Sequence, residues 1–100
     1  MVVKILPTEK NAPQGKLADV EVHFTEGAME GLRLLGFSVW ERKNGAGRSV
    51  TFPSRTYSVQ GQRRSFSLLR PQNDSKPQER VRDLVLQAYA DFEAQAAIAS

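Results

Sequence analysis

The sequence predicts an α+β domain, a small antiparallel β-sheet of about four to five strands arranged as a meander of hairpins and packed against one C-terminal α-helix. Three observations carry that expectation. Apolar and polar residues alternate in several short runs separated by Gly- or Pro-bearing turns, the period of strands with one buried face. A dense apolar run (Leu32, Leu34, Leu35, Phe37, Val39, Trp40) breaks at Asn44-Gly45-Ala46-Gly47 and resumes at Val50 and Phe52, which reads as a central hairpin. Beyond Pro77 the period becomes helical, with Val81, Leu84, Val85, Ala88, Tyr89, Phe92 and Ala96 on one stripe.

In chain order, residues 1–16 hold two prolines, Gly15 and a polar stretch, with no sustained period. Residues 2–6 could add an edge strand, but the segment as a whole reads as a flexible N-terminal arm, leaving 17–100 as the single folded domain. Residues 17–25 form the first firm strand, with Val20, Val22 and Phe24 on one face and Asp19, Glu21 and His23 on the other. A turn at 25–28 leads into the central arm, residues 29–42, which is apolar on both sides as a strand covered on two faces would be. Pro53 cannot donate to a ladder and should end the second arm or lie on an edge. Tyr57 and Val59 then alternate with Ser58 and Gln60, Gln60-Gly61 makes a two-residue turn, and Arg64, Phe66 and Leu68 alternate on the return. Residues 71–77 are a polar connection, and Ser75-x-x-Gln78 resembles a capping box before a helix of about five turns.

One hundred residues suffice for one core. The absence of cysteine removes disulfides, thiolate chemistry and Cys-ligated zinc. No apolar run near the N-terminus is long enough for a signal peptide or a membrane span, so a cytoplasmic protein is expected.

Charge is the most informative feature. Residues 1–41 carry four Lys/Arg against six Asp/Glu, and residues 83–100 carry only three acids. Residues 42–82 carry ten Lys/Arg (Arg42, Lys43, Arg48, Arg55, Arg63, Arg64, Arg70, Lys76, Arg80, Arg82) against Asp74 and Glu79. So lopsided a block favours an anionic partner. Arg80 and Arg82 flank the first turn of the helix, where its dipole does not favour cations.

Catalytic and metal chemistry find little support. Asp19, Glu21 and His23 spread over roughly 13 Å along one strand and cannot converge on one ion. His23 is the only imidazole, so the serines lack an oriented base and the chain is read as non-enzymatic. Asn44-Gly45-Ala46-Gly47 lacks the Lys-Ser/Thr and following helix of a P-loop and reads as a hairpin turn. Flanked by Arg42, Lys43 and Arg48, that turn could still approach a phosphate closely. Trp40 is assigned to the core, whereas Tyr57, beside Arg63 and Arg64, could edge a groove for single strands.

Four elements in order, Phe52-Pro53-Ser54-Arg55, Gly61-Gln62-Arg63-Arg64, Pro71-Gln72-Asn73 and the run from Arg80 to Tyr89 (RVRDLVLQAY), resemble the SpoVG-like septation regulators over roughly residues 17–92. The chain departs from the family pattern in having Thr56 rather than a second basic residue after Arg55, a longer connection at 56–60, and fewer residues between Phe24 and Leu35. It is therefore similar to a divergent member. The resemblance implies a dimeric nucleic-acid-binding regulator, with DNA or RNA as partner and no small-molecule cofactor. Together with the cationic block it nominates Arg42, Lys43, Arg48, Arg55, Arg63, Arg64, Arg80 and Arg82 as the contact residues. The competing expectation is a protein-interaction module that docks an acidic partner through an exposed strand edge or the N-terminal arm.

Overall fold

The computed structural model describes residues 1–43, 45 and 47–99. Among these, six strands and one helix follow in order: β1 (Val2–Pro7), β2 (Lys16–His23), β3 (Arg33–Glu41), β4 (Arg48–Thr51), β5 (Ser54–Val59), β6 (Gln62–Ser67) and α1 (Lys76–Ala99). The class is α+β, as the sequence predicts. The strands number six and form two antiparallel sheets, a four-stranded β1-β2-β3-β4 sheet and a separate β5-β6 ribbon, in place of one continuous meander.

Strand parity places the core. Ala18, Val20 and Val22 of β2 and Phe37 and Val39 of β3 are buried on one face, and the register brings Val3 and Ile5 beside Val22 and Val20. Val39 likewise pairs with Val50. The helix lays Val81, Val85, Tyr89 and Phe92 over this face, an i, i+4, i+8, i+11 stripe, with Val85 and Tyr89 buried. Burial of each large side chain contributes roughly 1.5–3 kcal/mol, so helix and sheet stabilise each other.

Several sequence expectations are corrected here. Residues 2–7 are not a free arm: β1 pairs residue for residue with β2, because Val3 and Ile5 have a core face to reach. The central strand starts at Arg33 rather than at residue 29, since a loop containing Gly27 and Gly31, both at positive φ, occupies the residues before it. The helix covers one face only; on the other Leu35 remains 52% exposed, although Ser38 is buried beside Asp19. Leu84 lies off the buried stripe at 47% exposed, and Trp40 is on the open face opposite Val39.

One junction separates the two sheets. The register of β2 against β3 shifts between Val20↔Phe37 and Val22↔Leu34, so β3 carries an extra residue there. Gly36 sits in that bulge at φ +107°, and a Cβ on it would come within 3.1 Å of the Pro53 Cβ. Pro53 is buried against this gap, ends β4 without a ladder donor, and turns the chain out of the sheet. The Leu68 amide donates to the Pro53 carbonyl at 2.8 Å and closes the base of the ribbon. At its far end Gln60 (φ 50°) and Gly61 (φ 79°) form the expected two-residue turn, both central residues having the positive φ of a type I′ hairpin.

The helix begins differently from the predicted capping box. Asp74 Oδ1 accepts the Lys76 amide at 2.9 Å and so caps the first turn, while Ser75 Oγ donates to the Glu79 carboxylate at 3.3 Å. Pro77 is tolerated because first-turn amides have no intrahelical acceptor. At 24 residues, or about 36 Å, α1 is longer than the five turns expected, and its Ala-rich end runs past the sheet with Ile98 79% exposed. Ribbon and helix end together raise the radius of gyration to 15.1 Å, against about 13 Å for a compact chain of this size.

The Gly36 contact gives a direct test. Gly36→Ala introduces both a strained φ and a clash with Pro53, and is expected to lower the urea unfolding free energy by about 1–3 kcal/mol. An unchanged denaturation midpoint would show that the junction is not held by this contact.

Candidate nucleic-acid interface

The ribbon is solvated on both faces except at Ser67, which is half-buried at its base. The pairs Arg55↔Phe66, Tyr57↔Arg64 and Val59↔Gln62 put these six side chains on one face, and Ser54, Thr56, Ser58, Arg63, Ser65 and Ser67 on the other. Arg63 and Arg64, neighbours in sequence, therefore point to opposite sides. The Tyr57 and Phe66 rings lie 5.7 Å apart at 60°, both about 40% exposed, between two guanidinium groups. No carboxylate occurs from residue 42 to residue 73, so nothing on the ribbon neutralises these charges.

Seven of the eight nominated cations divide into three groups, and Arg48 stands apart from them. Arg55 and Arg64 share the aromatic face of the ribbon, with Arg63 behind it. Arg80 and Arg82 lie at the helix start near the ribbon base, where the Arg82 guanidinium sits 5.9 Å from the Phe52 ring centroid. Arg42 and Lys43 stand at the opposite end of the sheet, beside the β3–β4 turn. That turn is closed by Arg42 N–H to Gly47 O at 3.1 Å and Gly45 N–H to Arg42 O at 2.9 Å. Asn44 and Ala46 of the predicted turn lie outside the described residues. The helix rise from Arg82 to Glu93, which lies alongside Arg48, sets a separation of roughly 16 Å between the two ends.

Arg48 is occupied in holding the fold. Its Nη2 donates to Glu93 Oε2 at 3.0 Å, and its guanidinium lies 5.9 Å from the Tyr89 ring centroid, tying β4 to α1. The hydrogen bond to Glu93 raises the Arg48 pKa further, and burial raises that of Tyr89. Among the described residues no ion pair engages Arg42, Lys43, Arg55, Arg63, Arg64, Arg80 or Arg82.

The acidic strand face is internally matched. Lys16 Nζ is 2.6 Å from Asp19 Oδ1, and Glu21 Oε1 receives both His23 Nε2 at 2.9 Å and Arg33 Nη1 at 3.3 Å. Asp19 and Glu21 are thereby held by cations of their own sheet rather than by the ribbon. Trp40 shares this open face, its indole N–H donating to Thr51 Oγ1 at 2.9 Å. The sequence did contain a signal for it: Phe37 and Val39 alternate with Ser38 and Trp40, so Trp40 shares parity with a serine.

The Glu21 cluster has a pH signature. The hydrogen bond from His23 is the main cause that lowers the Glu21 pKa below its ordinary 4.5, with Arg33 adding to it and burial opposing. A depressed carboxylate stabilises the fold above its unfolded pKa, and that contribution is lost as pH falls through the lower folded value. A carboxyl-carbon NMR titration is expected to place Glu21 below 4.5 in the native protein and to move it upward in His23→Ala; an unmoved midpoint would exclude the His23 bond as the cause.

Comparison of the chain with protein-family models, curated proteins and solved structures found no match, so the interface is defined by its own geometry.

Proposed function

We propose that this chain is a non-enzymatic nucleic-acid-binding regulatory protein, of the divergent SpoVG-like kind its motifs resemble, and that it contacts DNA or RNA through the β5-β6 ribbon. The observation that carries the reading is the aromatic ribbon face, where Arg55 and Arg64 flank Tyr57 and Phe66 with no carboxylate on either strand. Guanidinium groups fork onto phosphate oxygens while exposed rings stack on bases, and a projecting two-stranded ribbon can follow a groove or a strand. Arg80 and Arg82 at the ribbon base extend the positive surface. Arg48, neutralised by Glu93, is left out of the contact set.

Phosphate contacts make affinity salt-dependent. Labelled oligonucleotides, duplex and single-stranded, are expected to bind at low salt, and about four phosphate contacts imply a loss on the order of a hundredfold between about 50 and 200 mM salt. Replacing both Arg55 and Arg64 by Ala is expected to lower the salt slope by about one per guanidinium. Arg63→Ala, on the opposite face, should weaken binding less. No binding at low salt, or binding indifferent to salt, would defeat the proposal. A co-purifying acidic protein would instead favour strand addition at a free edge such as β1, whose Val2 and Leu6 are exposed.

The same reading includes a homodimer. An isolated two-stranded ribbon is marginal in water, and pairing its edge with that of a second copy would extend it while leaving both faces open. Light scattering is expected to give the mass of two chains at micromolar concentration; a monomer would remove this part alone.

A further inference from the structure

At the end of the sheet away from the ribbon, a shallow hollow of about 770 Å³ is lined by Gln14, Gly15, Trp40, Glu41, Arg42, Lys43 and Gly45. Its size falls within the usual range for small-ligand sites. Among the described residues Trp40 is its one aromatic wall. The indole N–H is already bound to Thr51 Oγ1, which fixes the ring and leaves a π-face as what it can offer a ligand. The Gly15 carbonyl accepts the Glu41 amide at 2.8 Å and holds the chain before β2 alongside as the facing wall. Arg42 and Lys43, without ion pairs among the described residues, supply charge within three positions of the ring. Glu41 also lines the hollow, but it has the parity of Val39 rather than of Trp40 and pairs across the strands with Arg48, whose charge it faces.

We infer that Trp40, with Arg42 and Lys43, is a stacking site for one unpaired nucleobase of a single-stranded nucleic acid, the cations taking the adjoining phosphates. The inference rests on the nucleic-acid reading above and narrows its substrate class. A stacked base needs a free π-face, which a base inside a duplex does not have because its neighbours cover both sides. The site thus distinguishes single strands from duplexes without reading sequence, since every base has such a face. It also gives the two cations at the far end of the sheet a role that the ribbon cannot share, because they lie too far from it to form one patch.

Trp40 is the only tryptophan of the chain, so its emission reports the site directly. A fluorescein-labelled oligothymidine and a duplex of equal length are titrated at low salt, with anisotropy reporting binding and tryptophan emission reporting stacking. The expected result is saturable quenching by the single strand, at the midpoint given by anisotropy, and no quenching by the duplex. Trp40→Leu is expected to weaken the single strand about tenfold and leave the duplex unchanged, while Trp40→Phe keeps most of the affinity. The quenching measurement needs no substitution, so the test survives a variant that does not fold. Single-strand binding with unchanged emission, equal quenching by the duplex, or unaltered affinity in a folded Trp40→Leu would each overturn the stacking site and leave the ribbon reading standing. Absence of binding to either oligonucleotide would overturn both.

Discussion

A four-stranded sheet with a single helix to cover it can bury only one of its faces. Val85, Tyr89, Val81 and Phe92 close that face over Val20, Val22, Phe37 and Val39, and the other has to remain compatible with water. Its residues meet that constraint in two ways. Lys16, Asp19, Glu21, His23 and Arg33 satisfy one another across the strands, and Trp40 lies flat enough for its N–H to reach Thr51. The open face is a consequence of having one helix, and it leaves Trp40 at the surface where the proposed stacking site lies.

The covered face is also why the ribbon projects. Once β4 has paired with β3, the chain meets Pro53, which has no amide to continue the ladder and fits the space that Gly36 leaves in β3. Among the described residues the ribbon beyond it forms a sheet of its own, and its side chains are almost all exposed. They can be Arg, Ser and exposed aromatics together. Packing at the junction therefore separates the part of the chain that supplies stability from a ribbon left open to solvent.

Charge follows the same division. The acids of the N-terminal strands are matched within their own sheet, and Glu93 on the helix is matched by Arg48. Solvated guanidinium groups in water attract one another's counterions weakly and repel one another modestly, so a run without carboxylates is tolerable on a thin ribbon exposed on both sides. The potential that results is spread over two ends of an elongated molecule, 49 Å in its longest extent, rather than gathered in one patch. An extended polymer such as a nucleic-acid strand is long enough to engage both ends, which a compact anion is not.

The fold class, the alternation of β2 and of the ribbon, the Gln60-Gly61 turn and the helical stripe were all written in local periodicity, because period 2 and period 3.6 are set by backbone geometry within a few residues. The cationic block was equally plain, since counting charges needs no coordinates. Residues 2–7 were harder to place because β1 is an edge strand whose apolar positions acquire meaning only beside Val20 and Val22. Whether Arg63 and Arg64 act together, whether Arg48 is free, and whether Trp40 belongs to the core or to the surface were not local questions. They depended on strand parity in a particular register, on a helix residue 45 positions away from Arg48, and on which face of the sheet the one helix chose to cover. What the amino-acid order determined was therefore the set of elements and the supply of charge, and what only tertiary structure decided was which side chains share a surface, because that is a property of long-range pairing.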